Sequence, residues 1–288
     1  MHHGFLKFCI ITYMSLISWT MVFSQSNLND SILEKQAIKT FYAISKKFQK
    51  TNCSTGNLII KIGLDLLGKP YVAKTLENNK SENLVINLTE FDCTTFAENC
   101  LALARTIKSS ACTFGDFKKE LLLIRYRNGE LVDYSSRLHY FSDWIYDNDR
   151  KNIVKNITCE MGHTPFNNFV NYMSLHTDYY KMLRNDAKLQ NEISRIEKQI
   201  SRRQSCYIPK KQIFKYESLI HNGDILGLTT NIKGMDIAHV VIAYHTKNRL
   251  YMIHASSKKH RVVISDEPLA DYLARRKDVT GIIVARPL

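Results

Sequence analysis

The chain is poor in residues that punctuate or staple a polypeptide. Its 288 residues include 5 prolines and 11 glycines, too few for a fibrous or low-complexity chain, and no internal repeat is visible. None of the 7 cysteines stands in a CxxC pair, so the usual sequence signature of a structural zinc site is missing. Long hydrophobic runs are also missing. The clearest, Phe8–Phe23, falls short of the roughly 20 apolar residues that a membrane-spanning helix needs. Acidic residues are outnumbered, 27 against 40 basic, which leaves a formal net charge of +13. That excess could suit nucleic acid, but the basic residues are scattered and no nucleic-acid-binding motif accompanies them. With 44% hydrophobic residues the chain can bury a sizeable core, as one large domain or two.

What is present begins with a targeting pattern. A short head bearing Lys7 precedes the apolar run, and small residues near Ser24 suit cleavage. A retained N-terminal anchor is the competing reading; both put the rest of the chain outside the cytoplasm. No cysteine closely follows the cleavage point, so lipid attachment there is not expected. Residues 1–24 carry one charge, Lys7, and the remainder keeps +12. In an oxidising compartment one disulfide among Cys53, Cys112, Cys159 and Cys206 is possible, and the spacing leaves its pairing open.

The central stretch is Asn87–Ile107. A polar run stops at Cys93, after which Phe96, Cys100, Leu103, Ala104 and Ile107 recur at helical spacing. Asp92 suits an N-cap, and Thr94 and Thr95 a first turn. Cys93 should therefore open a helix, where free N–H groups and the helix dipole favour a thiolate and can hold an oxyanion. The plain alternative is a buried structural cysteine, a role that fits Cys100. Downstream, Asp236–Tyr244 and Arg249–Ser256 are short, β-branched and apolar, separated by a turn-like HTKN. They predict a hairpin that brings His239 and His254 onto one face. A cysteine, a base and a group that orients the base together meet the needs of nucleophilic catalysis, although a lone strand histidine is more often a packing or surface residue.

Around these, residues 29–49 and Asn57–Leu67 predict helices, Leu84–Leu88 a strand and Phe117–Tyr126 a helix. Tyr134–Ile145 mixes aromatic and polar residues, including His139, and suits either a groove with Arg137 reading a carboxylate or an amphipathic helix with Leu138, Phe141 and Trp144 inward. Pro165–Asp186 and Ala187–Gln204 read as a helical stretch, with Leu189, Ile193, Ile196 and Ile200 on one stripe. From Ser218 onward come an Asn222-Gly223 turn, strands at Asp224–Leu228, Val262–Ser265 and Gly281–Ala285, and a short helix over Pro268–Arg276. The class is α+β.

The strings Asp92-Cys93-Thr94-Thr95-Phe96, His239-Val240-Val241-Ile242-Ala243-Tyr244 and Ile253-His254-Ala255-Ser256 resemble the NlpC-type peptidoglycan cysteine peptidases, a papain-like superfamily. Gly68-Lys69-Pro70-Tyr71 resembles the segment before their nucleophile. PYVAKTLE at 70–77, ENLVINLTEFDC at 82–93 and YSSRLHYFSDWI at 134–145 are similar to the N-acetylmuramoyl-L-alanine amidase-like branch. Val241 replaces a common glycine, and the stretch from His239 to His254 is slightly long. The resemblance implies a papain-like fold in which a helical half carrying the nucleophile packs on a small antiparallel sheet. It implies one domain over 25–288, with a helical insertion at about 114–215, expected as a monomer. It also implies Cys93, His239 and His254 as catalytic residues, Tyr71, Asp92, Thr94, Arg137 and Tyr140 as substrate contacts, no metal or organic cofactor, and peptidoglycan or muropeptides as the partner. A stem-peptide endopeptidase, a non-catalytic wall-binding module and a lipid acyltransferase are the competing functions.

Overall fold

Eight strands, β1 (Val154–Asn156), β2 (Thr164–Pro165), β3 (Cys206–Pro209), β4 (Ile225–Thr230), β5 (Ile237–Thr246), β6 (Arg249–Ser256), β7 (Arg261–Ile264) and β8 (Val279–Pro287), form the backbone of the protein. Their neighbours run in the order β2-β3-β8-β4-β5-β6-β7, and β1 also pairs with β8. The computed structural model describes residues 32–162, 164–167 and 169–288. The segment read as a targeting signal lies outside them. Every strand pair is antiparallel.

The helices come first. Helix α1 (32–48) buries Ala37, Phe41, Ile44 and Phe48, the stripe its spacing predicts. α2 (Thr55–Asp65) is capped by Ser54, α3 is Cys93–Lys108, and α4 (Phe114–Arg125) is closed by a Thr113/Asp116 capping box. α5 is Phe141–Arg150. Then β1 (Val154–Asn156), α6 (Thr158–Met161), β2 (Thr164–Pro165), α7 (Tyr172–Leu175) and α8 (Ala187–Ser201) follow. The chain continues through β3 (Cys206–Pro209), α9 (Ile213–Tyr216), β4 (Ile225–Thr230), β5 (Ile237–Thr246), β6 (Arg249–Ser256), β7 (Arg261–Ile264), α10 (Leu269–Ala274) and β8 (Val279–Pro287).

Strand alternation divides the core in two. Val240, Ile242, Ile253 and Ile283 pack with α1–α5 on one face, and Val241, Ala243, Met252, Ile282 and Val284 pack with Ile213, Leu269 and Leu273 on the other. Side chains that point alternately up and down a strand make this division inevitable. The β5–β6 turn places Lys247 and Asn248 at φ 51° and 60°, the two left-handed residues of a tight hairpin turn. Gly223, at φ +85°, lies against α2, where a Cβ would stand 2.2 Å from Gly56 O.

Three expectations fail. Leu84–Leu88 is not a strand. Its neighbourhood is bound by side chains instead: Arg125 Nη1 donates to Val85 O at 2.7 Å and Tyr126 Oη to Asn83 O at 3.0 Å. Residues 165–186 are not a continuous helix but short turns around α7 and Thr177–Tyr179; only α8 realises the predicted stripe, with Leu189, Ile193, Ile196 and Ile200 buried. The region 114–215 is therefore not wholly helical, since it supplies β1, β2 and β3, and the sheet is larger than expected. One cross-link ties this region at its base: Cys159 and Cys206 form a disulfide.

Candidate active site

Cys93 is the first residue of α3, and its position is fixed from three sides. Asp92 Oδ1 accepts the Thr95 N–H at 2.8 Å, the Asp92 N–H donates to Thr95 Oγ1 at 3.0 Å, and Asp92 Oδ2 accepts the Thr75 hydroxyl at 2.9 Å. A capping box of this kind fixes the first turn. It also occupies the Asp92 carboxylate, which therefore acts on the site chiefly through its charge. Cys93 Sγ lies 4.0 Å from Thr94 Oγ1, and N–H groups of Val240 and Thr94 also favour its ionised form. Burial outweighs them and, with the Asp92 charge adding, pushes the thiol up to about 11. The thiolate expected from the helix dipole alone is thus not the resting form, because desolvation opposes the charge more strongly than the free N–H groups support it.

The two histidines lie together on the hairpin. His239 Nε2 and His254 Nδ1 are 2.7 Å apart, with the rings nearly perpendicular. The pairing register explains the contact. Ile242 faces Ile253, so His239 and His254 are diagonal neighbours on one face. Burial, then the neighbouring His254 and Arg276, pushes His239 down to about 3; burial pushes His254 down to about 4 against the pull of Asp266. Both rings are neutral at pH 7. The length between His239 and His254 lies in the strands β5 and β6 themselves, joined by the tight Lys247–Asn248 turn, and Val241 in place of glycine packs into the far core.

Cys93, Thr94 and His239 line one cavity of about 340 Å³. No hydrogen bond joins Cys93 to His239 among the described residues; both line that space. The rest of the lining comes from Lys74 and Glu77, from Leu138–Phe141 and Trp144, from Tyr172, Met173, Tyr179 and Tyr180, and from Met235–Ala238. Tyr140 is present as the sequence suggests, though its hydroxyl is committed to Glu197 at 2.6 Å. Tyr71 lies close enough to Cys93 and Asp92 to feel their charges, and its phenol is raised by burial first and by them second, but it does not line the cavity.

Arg137 is placed differently from the groove-facing reader that its composition suggested. It is 4% exposed and spends its donors internally, on Glu77 Oε1 at 2.5 Å and Leu76 O at 3.0 Å, with Glu82 3.5 Å away. A buried guanidinium needs such partners. His139, a cavity residue, is held by Tyr134 O at 2.7 Å and pushed well below the usual imidazole range by burial and by Arg137. Lys74, Glu77, Asp236 and the tyrosines of 172–180 are cavity residues that local patterns did not reveal, because they converge only through the tertiary fold.

An α+β protein in which a helix-opening cysteine and a strand histidine line one cavity has the makings of an acyl-transfer site. The model of the N-acetylmuramoyl-L-alanine amidase-like family matches residues 61–282, and the chain belongs to that family. It is similar to an N-acetylmuramoyl-L-alanine amidase from Bacteroides uniformis, with 37% identity and a TM-score of 0.78 over 81% of this chain and 98% of that one. A Bacteroides fragilis protein described provisionally as a xylanase is 39% identical over 78% of this chain and 99% of that one, TM-score 0.75. A Legionella pneumophila protein, 23% identical over 90% and 97% of the two chains with a TM-score of 0.67, shares the fold. No curated protein matches the sequence.

Proposed function

We propose that this protein is an exported cysteine-dependent amidase of the NlpC-type, papain-like kind, which cleaves the amide bond between N-acetylmuramic acid and L-alanine in peptidoglycan or its fragments. The observation that carries the reading is the 2.7 Å His239–His254 contact beside a cavity shared with Cys93. If His239 Nε2 carries a hydrogen and donates it to His254 Nδ1, His239 Nδ1 is left as a free base. That nitrogen takes the Cys93 proton as the sulfur attacks the carbonyl carbon. Because both groups rest neutral, the transfer occurs with substrate in place. The resulting oxyanion is held by the Cys93 N–H and a neighbouring donor. The tetrahedral adduct collapses as His239 gives the proton to the leaving amine. Water, deprotonated by His239, then hydrolyses the thioester and restores the thiol. His254 holds the tautomer and orientation of His239 throughout.

The family match supports the muramoyl–alanine bond, and the Cys159–Cys206 disulfide supports an oxidising compartment. Mass spectrometry of a defined muropeptide after digestion tests the bond: release of a peptide headed by L-alanine is expected, whereas a dipeptide released from within the stem refutes it. Cys93→Ala should lose turnover by at least about 1000-fold, in line with loss of a nucleophile, while melting at the parent temperature. An undiminished rate in that variant ends the proposal.

A further inference from the structure

Three side chains that carry full charges in ordinary solution line the cavity: Lys74, Glu77 and Asp236. Two of them are already matched. Glu77 Oε1 accepts from Arg137 Nη2 at 2.5 Å and its Oε2 from the Tyr134 hydroxyl at 3.2 Å. The buried Arg137 guanidinium, shared with Glu82, thus pairs the Glu77 carboxylate, and the Glu77 side chain keeps only 24% of its surface exposed. Asp236 is 4% exposed. Its oxygens accept the Ser142 N–H at 2.7 Å and the Ile237 N–H at 2.8 Å, and burial raises it toward the neutral acid. The ring of His139 accompanies them as an uncharged group, committed to a backbone carbonyl.

Lys74 is different. Among the described residues it forms no ion pair, and it is exposed at the edge of the cavity. Its backbone sits in the left-handed region at φ 59°, inside a turn closed by the Glu77 N–H donating to Lys74 O at 3.0 Å. Outside glycine and asparagine that conformation is sparsely used and persists where the surroundings impose it. The imposing neighbours are visible. Thr75 is pinned to Asp92, Leu76 O to Arg137, and Glu77 to Arg137 and Tyr134. The lysine is therefore carried on a turn anchored to the cap of the nucleophile helix. The cavity thus presents one ammonium with no ion-pair partner among the described residues, carried on an anchored turn.

The geometry points to Lys74 as a specificity-determining residue that binds a carboxylate on the peptide portion of the substrate. The assignment rests on the proposed function only in placing a peptide-bearing substrate in this cleft. The ammonium meets the anion as a point charge at the exposed edge of the cavity, where an ion pair supplies about a two- to fivefold preference. The competing account is a solvated surface lysine that distinguishes nothing.

The test uses Cys93→Ala protein, which binds without turnover. N-acetylmuramoyl-L-alanyl-D-glutamic acid and its diamide are titrated into it by calorimetry, and then into Cys93→Ala carrying Lys74→Gln or Lys74→Glu. The acid should bind about two- to fivefold tighter than the diamide. Lys74→Gln should abolish the preference, and Lys74→Glu should reverse it. Circular dichroism of the Lys74 variants should match the parent, because the side chain is exposed. A preference that survives Lys74→Gln overturns the assignment, as does equal binding of acid and diamide to the Cys93→Ala protein. If wild-type protein leaves the muramoyl amide intact while the Cys93→Ala protein still discriminates through Lys74, the hydrolase reading fails and the carboxylate site stands.

Discussion

Cutting the Cys159–Cys206 bond should be the most informative single perturbation of the cleft. The two cysteines are 47 positions apart. On the loop-entropy model, a cross-link closing a loop of that length restrains the unfolded chain by about 4 kcal/mol at 25 °C. For a chain of this size each kcal/mol moves the melting temperature by about 2–4 °C, so a loss of about 8–16 °C is expected. The same loop contains Tyr172, Met173, Tyr179 and Tyr180 of the cavity wall, and the β2–β3 ladder across its neck pairs only Thr164 and Pro165 with Tyr207 and Cys206. Loosening the neck should raise KM more than it lowers kcat, because Cys93 and His239 lie outside the loop. The assay is calorimetry of parent and Cys159→Ser/Cys206→Ser protein in the absence of reductant, followed by kinetics on a soluble muropeptide at a temperature where both are folded. A melting temperature within about 2 °C of the parent refutes the entropic reasoning. An unchanged KM refutes the claim that the loop sets the wall.

Further outcomes follow from buried charge. Glu98 and Arg125 form an ion pair at 2.7 Å, with side chains 3% and 2% exposed. Glu98→Ala strands the guanidinium and should destabilise by about 3–5 kcal/mol, read by urea unfolding; Glu98→Gln should lose less, and an equal loss in the two variants contradicts the charge argument. His239 and His254 titrate in the folded protein near 3 and 4, whereas unfolded histidine titrates near 6.5. The unfolded chain therefore takes up protons first. The stability associated with the neutral rings is full above about pH 6.5 and declines as the pH falls toward 4. Between pH 7 and 5, parent protein should lose about 2–4 kcal/mol more than a His239→Gln/His254→Gln variant, the lower figure being the buried His254 ring alone; parallel curves would count against buried neutral imidazoles. The NMR signals of the two rings should likewise stay unprotonated at pH 5.5.

The readable parts of this protein are those written by local rules. The Asp92 cap, the stripe from Phe96 to Ile107, and the period-two strands around His239 and His254 each follow from spacing within a few residues. The His239–His254 contact was reachable too, since a tight turn fixes the hairpin register. Arg137 was misleading because composition cannot say whether a guanidinium faces a groove or a buried carboxylate; Glu77 and Glu82 lie more than fifty positions upstream. Leu84–Leu88 has the composition of a strand, but its partners are side chains of α4 and the residue after it. β1, β2 and β3 are two to four residues long, too short to display a period. The ionisation of Cys93 depended on how deeply α3 is buried, which only the assembled sheet and helices determine.

Thr75 sits between Lys74 and Glu77, and its hydroxyl is fastened to the same aspartate that caps the nucleophile's helix. The turn at the mouth of the cleft is thereby tied to the residue that precedes Cys93. On the proposed reading, a substrate carboxylate held by Lys74 brings before the Cys93 sulfur only bonds within one limited span of its length. A ligand with the right chemical groups at an interval outside that span would then be held and left uncut.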